Sequence, residues 1–262
     1  MTDWQAVIDD DFTPPSDRAL PELVTELSAE LRSPDPDRRD GLPYRVLCTW
    51  ILNGTADREL ERLGDEMADR FADPQIQARC FAPLVLAWIV ARGTVKPQWL
   101  DAFASWYPSE TDLRGRDEKL GWLHAVAHGA DLLGEFGSSV KVDPAPLLDL
   151  AARRLVAPSE FVWREQEDDR LALAIAVTLT RAELTEAQAV DWLGPVATDF
   201  ASGAGPPAPQ ASNAMRTLRA LYILVDRGVR PDPEAAPIAV PHRKAVKDRL
   251  AEVLTHVAPF AG

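Results

Sequence analysis

The sequence predicts an all-α fold, an irregular array of antiparallel helix pairs of HEAT or armadillo kind. Three observations lead there. Apolar residues recur at spacings of three and four along almost the whole chain, as they do on one face of a 3.6-residue helix. No segment of roughly four to eight residues alternates apolar and polar between turn signals, the mark of a half-buried strand. Pairs of helices of roughly 10 to 20 residues joined by short loops recur about every 35 to 45 residues, the period of HEAT and armadillo arrays. No sequence motif repeats with that period, so the array is read from helix and loop lengths alone.

Residues 1–18, with Asp9-Asp10-Asp11 and Pro14-Pro15, read as an acidic, loosely held arm in which Trp4, Val7, Ile8 and Phe12 could dock as a short helix. Residues 19–262 read as a single helical, repeat-like domain. Helices are expected near 20–32, 38–53, 56–71, 74–92, 97–107, 116–136, 144–156, 166–181, 185–201, 210–228 and 241–257. Ser33-Pro34-Asp35-Pro36 ends the first of these. Asn53-Gly54-Thr55 supplies a glycine stop followed by a threonine cap, and Arg92-Gly93-Thr94 repeats that arrangement. The Gly203–Pro209 stretch and the proline-rich Val229–Pro241 segment read as loops between the last helices. Neither reads as a domain linker, because a helix pair alone could not bury its apolar face.

Composition bounds the function classes. The chain has 262 residues, 46% of them hydrophobic and 26% charged, as in an ordinary soluble globular protein. A net charge of −13 disfavours nucleic acid and anionic membrane surfaces, since both are bound by clustered Lys and Arg. A HEAT-like DNA-repair enzyme is accordingly the least favoured class. Two cysteines, Cys48 and Cys80, lie in apolar helical stretches and read as buried thiols rather than a disulfide framework. The acidic start is no signal peptide, and no uninterrupted apolar run reaches the roughly 18 residues that span a bilayer. A cytoplasmic protein of bacterial style is the expectation.

The most informative stretch is the helix expected over 116–136. At about 100° per residue, with His124 at 0°, His128 falls at about 40°, Asp131 at about −20°, and Asp117 and Glu135 at about 20°. Trp122, Ala125, Val126, Gly129, Leu132, Leu133 and Phe136 fill the opposite arc, which the helix should bury. Two of the chain's four histidines thus share one stripe at i and i+4, the spacing by which a helix presents two imidazoles to one metal ion. Asp131 is placed to be a third ligand of a divalent metal such as zinc, or to fix a tautomer. Three readings stay open: a metal site of His124, His128 and Asp131, a metal-free polar pocket, and a solvated face. No Glu follows His124, so the zinc-protease arrangement is not indicated.

The second informative stretch runs from Pro158 to Ala176, an aromatic segment entering a helix whose first turn carries Glu167, Asp168 and Asp169. Carboxylates at a helix N-terminus meet the macrodipole, worth roughly 0.3–1 kcal/mol each. The dipole does not account for Trp163, Arg164 and Arg170 at the same end, a cation-plus-aromatic composition common at recognition sites. Trp163 through Ala172, together with Gly121 through Leu133, resembles the two signature stretches of the DUF2785 family, bacterial proteins of unknown function. The likeness extends to Asp112-Leu113-Arg114-Gly115 and to Leu42–Leu47 with Trp50-Ile51, covering roughly residues 20–200. Its most specific part is the His124–Asp131 run, His-Ala-Val-Ala-His-Gly-Ala-Asp. Where the family pattern has Glu-Asp-Glu-Arg this chain has Glu167-Asp168-Asp169-Arg170, which keeps a carboxylate in place. The resemblance implies a HEAT-like helical fold and no particular activity.

Other constellations rank lower. His242-Arg243-Lys244-Ala245-Val246-Lys247 is followed by Asp248 and Glu252 and reads as a solvated helix face. P-loop, dinucleotide-binding and nucleophile-elbow motifs are absent. Most of the eight tryptophans, Trp88 among them, sit in apolar helical registers and read as core. Two function classes follow. In the first, His124, His128 and Asp131 face Glu167, Asp168 and Arg170 across the concave side of the array, with Trp163 as a wall. That pocket would bind a small polar ligand or, with a divalent metal, activate water for hydrolysis. In the second, the concave face is a non-catalytic scaffold for a protein or peptide.

Overall fold

A computed structural model describes residues 2–202, 207–231 and 234–259 of the protein. The fold is all-α. Helices α1 (Trp4–Asp9), α2 (Leu20–Glu30) and the single turn α3 (Pro36–Arg39) lead to α4 (Leu42–Leu52). Then come α5 (Leu60–Arg70), α6 (Ile76–Ala91) and α7 (Pro97–Trp106). A two-residue hairpin, β1 (Arg116–Asp117) and β2 (Gly121–Trp122), precedes α8 (Ala125–Ser138) and α9 (Ala145–Val156). The chain ends with α10 (Glu167–Leu179), α11 (Glu186–Asp191), α12 (Gly194–Ser202), α13 (Pro209–Arg227) and α14 (Arg243–Thr255). The Gly203–Pro209 loop lies largely outside the described residues, and the Val229–Pro241 segment closes through an antiparallel bridge between Val229 and Ile238.

Helices α4, α6, α8, α10 and α13 lie side by side, each packed on the next. The contacts around α8 run in one direction along both neighbours. His128 meets the Cys80 carbonyl early in α6, and Lys141 Nζ donates to the Gly93 carbonyl just beyond its end at 2.6 Å. On the other side Asp131 pairs with Arg170, Gly134 faces Ala174, and Gly137 faces Thr178. These three helices are therefore parallel, with their N-termini at one end. Helix α5 also packs on α6, and α9 on α10 and α13. Such an arrangement suits a helix buried on several sides, as α6 is, with eleven of its residues buried.

Residues 2–18 are held rather than loose. Trp4 and Val7 are core residues, Trp4 meets Trp50 edge to face, and the Trp50 indole N–H donates to the Phe12 carbonyl at 2.6 Å. The short docked helix is the one that Trp4, Val7, Ile8 and Phe12 allowed, with Trp4 and Val7 buried while the acidic residues around them face water.

The expected 116–136 helix is half right. From Ala125 onward it is helical, with Leu133 and Phe136 in the core. Residues 116–124 are not. Asp117 accepts the backbone N–H groups of Lys119 and Leu120 at 2.8 and 2.9 Å, a turn that competes with a helix start. Gly121 has φ of 69°, and a Cβ there would stand 2.6 Å from Pro36. The buried Arg39 donates to the Leu120 and Trp122 carbonyls, the latter at 3.0 Å, and fixes the strand outside a helix. Trp122, expected in the core, is 43% exposed.

Close approach to α8 sets a strict steric demand. A Cβ on Gly129 would stand 2.1 Å from the ring of Tyr107, whose hydroxyl donates to the Val126 carbonyl at 2.8 Å. Gly129→Ala is expected to lose roughly 1–3 kcal/mol in urea unfolding, the usual range for forcing volume into a packed core. Gly134→Ala, whose Cβ would meet Ala174 in ordinary contact at 3.5 Å, should change stability by less than about 1 kcal/mol. Equal midpoints for the two variants would contradict this packing.

Candidate functional site

Between α6, α8 and α10 lies a groove of about 370 Å³. Small molecules are usually held in clefts of roughly 300–1,000 Å³ that are mostly apolar with a few placed polar groups. The walls here are Leu84, Ala87 and Trp88 from α6 and Leu173, Ala174 and Val177 from α10. The small residues Ala130 and Gly134 of α8 leave the space between them. Asp131 and Glu135 from α8 and Arg170 from α10 supply the charge.

Arg170 lies across Asp131 as a two-pronged pair, with Nε to Oδ1 at 2.8 Å and Nη2 on Oδ2. Both side chains are part-exposed, so the pair adds little net stability. What it does is fix the guanidinium and occupy both carboxylate oxygens. Burial raises the Asp131 carboxyl pKa even so. Burial also raises that of Glu135, and the neighbouring Asp131 charge adds to the effect. Glu135 has no cationic partner among the described residues. The Trp88 indole N–H donates to Tyr44 Oη at 3.2 Å, which orients the ring. Burial raises the Tyr44 hydroxyl pKa and pushes the Cys48 thiol up to about 12, so both groups next to Trp88 are neutral.

The seven residues singled out by sequence divide into three places. Asp131 and Arg170 line the groove and join the two signature stretches directly. His124, His128 and Glu167 lie at the N-terminal ends of α8 and α10. Trp163 and Asp168 tie the start of α10 to α13.

His124 is the residue before α8, in the left-handed conformation at φ 52°, and its ring lies beside that of His128, with ring centroids 5.6 Å apart. Its N–H is shared between the Arg114 and Gly115 carbonyls at 3.2 and 3.1 Å. Its ring packs edge-on against Trp122, and its buried Nε2 has no partner. His128 is buried, with Nδ1 donating to the Cys80 carbonyl at 2.8 Å and its ring edge-on to Phe81. Burial lowers both imidazole pKa values, that of His128 to about 3. These are neutral histidines packed into the fold, and neither lines the groove. A three-ligand metal site of His124, His128 and Asp131 is not formed: both carboxylate oxygens of Asp131 are taken up by Arg170. Among the described residues no three His, Cys, Asp or Glu side chains are grouped to hold a metal ion.

Trp163 is core rather than a pocket wall. Its N–H donates to Asn213 Oδ1 at 3.0 Å, and its carbonyl accepts from Arg216 Nη2 at 2.8 Å. Asp168 pairs with Arg216 Nε at 3.2 Å. Glu167 is fully buried, accepts the Glu165 N–H on Oε2 at 2.7 Å, and leaves Oε1 unpartnered beside Gly115; burial raises its pKa. Sequence reasoning placed Glu135 on the polar stripe without assigning it to a site, and took Trp88 for core. The spacing of Asp131 and Glu135 at i and i+4, beside the small residues Ala130 and Gly134, was the available signal for the groove.

The buried imidazole makes stability pH-dependent with a definite sign. Unfolded, His128 takes a proton near its ordinary 6.5, whereas in the fold it stays neutral down to about 3. Between these values the unfolded chain binds more protons. The neutral ring therefore costs nothing above 6.5, and stability falls as pH drops below it. His128→Gln, which cannot titrate, is expected to lose about 2 kcal/mol less than the wild type between about pH 7 and pH 5 in urea unfolding. Parallel pH profiles for the two proteins would refute a neutral buried His128.

A family model described as "Protein of unknown function (DUF2785)" matches residues 68–223, which contain all of α6, α8 and α10. Neither the curated proteins nor the solved structures give a match. The match covers more than half of the chain and includes every helix that lines the groove, so the chain belongs to the DUF2785 family.

Proposed function

We propose that this protein binds a small molecule in the groove between α6, α8 and α10. The observation that carries the reading is the lining: apolar walls from two helices enclose a space into which Asp131, Glu135 and Arg170 all project. The side-by-side setting of α4, α6, α8, α10 and α13, with α6, α8 and α10 parallel, supports a HEAT-like array, and the groove opens on the layer those helices form. The ligand is amphipathic rather than purely polar, because most of the groove's lining side chains are apolar. Metal-dependent hydrolysis at this place would require Asp131 to leave Arg170. Binding without catalysis is the function the side chains support as they stand.

A protein or peptide scaffold is the competing reading, and ligand response separates the two. A compound that binds only the native state stabilises it by RT ln(1 + [L]/Kd), about 2.7 kcal/mol at one hundred times Kd. Thermal melting of the wild type in a panel of amphipathic metabolites and divalent cations should single out a compound that raises Tm. The same compound should leave Leu173→Trp, which fills the groove from a half-buried position, unmoved. No response across the panel, or an equal response in Leu173→Trp, would favour the scaffold.

A further inference from the structure

We infer that the groove's ligand is an organic ammonium ion with an alkyl or aryl-alkyl body, and that Glu135 is its counter-ion. The inference rests on the groove being a binding site and adds the chemical class of what it takes.

The charge count points to a cation. Two carboxylates and one guanidinium project into the groove, and the guanidinium is bound through both prongs to Asp131. Glu135 is left half-buried, one turn away, with no cation among the described residues. A carboxylate in that position carries a desolvation cost that an opposite charge at close range offsets. Its raised pKa, from burial and from the like charge of Asp131, has the direction that such a partner would reverse. An anionic ligand finds the reverse situation, since among the described residues the only cation lining the groove is already committed.

The remaining lining agrees with this. The Ser138 hydroxyl donates its proton to the Glu135 backbone carbonyl at 3.0 Å, which leaves its oxygen as an acceptor at the same end of the groove. An ammonium group, with three donors and no acceptor, matches two acceptors. Trp88 stands on the facing helix with its ring held by Tyr44, and an indole is the best of the aromatic side chains for a cation. Leu84, Leu173 and Val177 supply an apolar path for the body of the molecule. The chain's net charge of −13 favours approach of cations over anions.

Three probes of equal length and different head groups test the class: n-hexylammonium, hexan-1-ol and hexanoate, each titrated by NMR into the full chain. Hexylammonium should bind the wild type at least about tenfold more tightly than either of the others. Glu135→Gln should lose about tenfold or more of that affinity while melting as the wild type does, since the carboxylate has no ion pair to lose among the described residues. Leu173→Trp should bind none of the three. Hexanoate or hexanol binding as tightly as hexylammonium, or unchanged hexylammonium affinity in Glu135→Gln, overturns the ammonium class. Loss in Leu173→Trp then still upholds the groove. If hexylammonium does not bind the wild type at all, the inference is likewise overturned, and the groove itself is judged by the metabolite panel alone.

Discussion

The seating of α8 between α6 and α10 is the constraint on which the rest depends. An α-helix with bulky side chains all round keeps its neighbours at the usual interaxial distance of roughly 8–10 Å. Here Gly129 admits the ring of Tyr107, Gly137 admits Thr178, and Gly134 and Ala130 leave α8 low between its two parallel neighbours. The first two contacts bring Tyr107, just past the end of α7, and helix α10 close against α8. The other two residues create a depression flanked by larger side chains. The groove is a consequence of how this helix packs, and Pro231 of the segment after α13 adds to its lining.

Polar links then fix what small residues alone would leave loose. At the N-terminal end, His128 bonds the Cys80 carbonyl of α6, and Arg39 holds the hairpin carbonyls that lead into α8. In the middle Arg170 spans from α10 to Asp131, and at the C-terminal end Arg181 donates to the Gly137 and Ser139 carbonyls at 3.0 and 2.7 Å. Buried polar groups with partners specify one arrangement, because sliding either helix would strand them. The left-handed residues His124 and Gln166 stand at equivalent places, immediately before α8 and α10. Backbone strain of that kind costs of order 1–3 kcal/mol and is held only where the surroundings determine it. In this protein the surroundings are the carbonyl groups of Arg114 and Gly115, which share the His124 N–H.

Much of this was legible in the sequence and some was not, for identifiable reasons. Periodicity located every long helix, because burial of an apolar arc is a property of local spacing. The family signatures picked out the two helix starts that do meet, and the Asp131–Arg170 pair lies where a stacked array would bring them together. The hairpin before α8 was missed because Arg116–His124 carries helix-compatible spacing. The features that overrule it are Asp117 accepting nearby N–H groups, a positive φ at Gly121, and Arg39, more than eighty residues upstream of Trp122. Once the helix begins at Ala125, the wheel that placed His124 and Asp117 beside Asp131 no longer applies, and the histidines pass from a site to packing. Glu135 and Trp88 became visible as partners in a groove only through tertiary packing, since nothing local distinguishes the half-buried Trp88 from the buried tryptophans.

Chemical-shift mapping of the isotopically labelled chain during titration with n-hexylammonium tests the central claim most directly, namely that α6, α8 and α10 together form the binding site. The account predicts progressive shifts of the Trp88 indole and of the backbone amides of Gly134, Glu135 and Ala174, with Trp163 and Trp192 unmoved. Shifts centred elsewhere, or spread evenly over the chain, would contradict it.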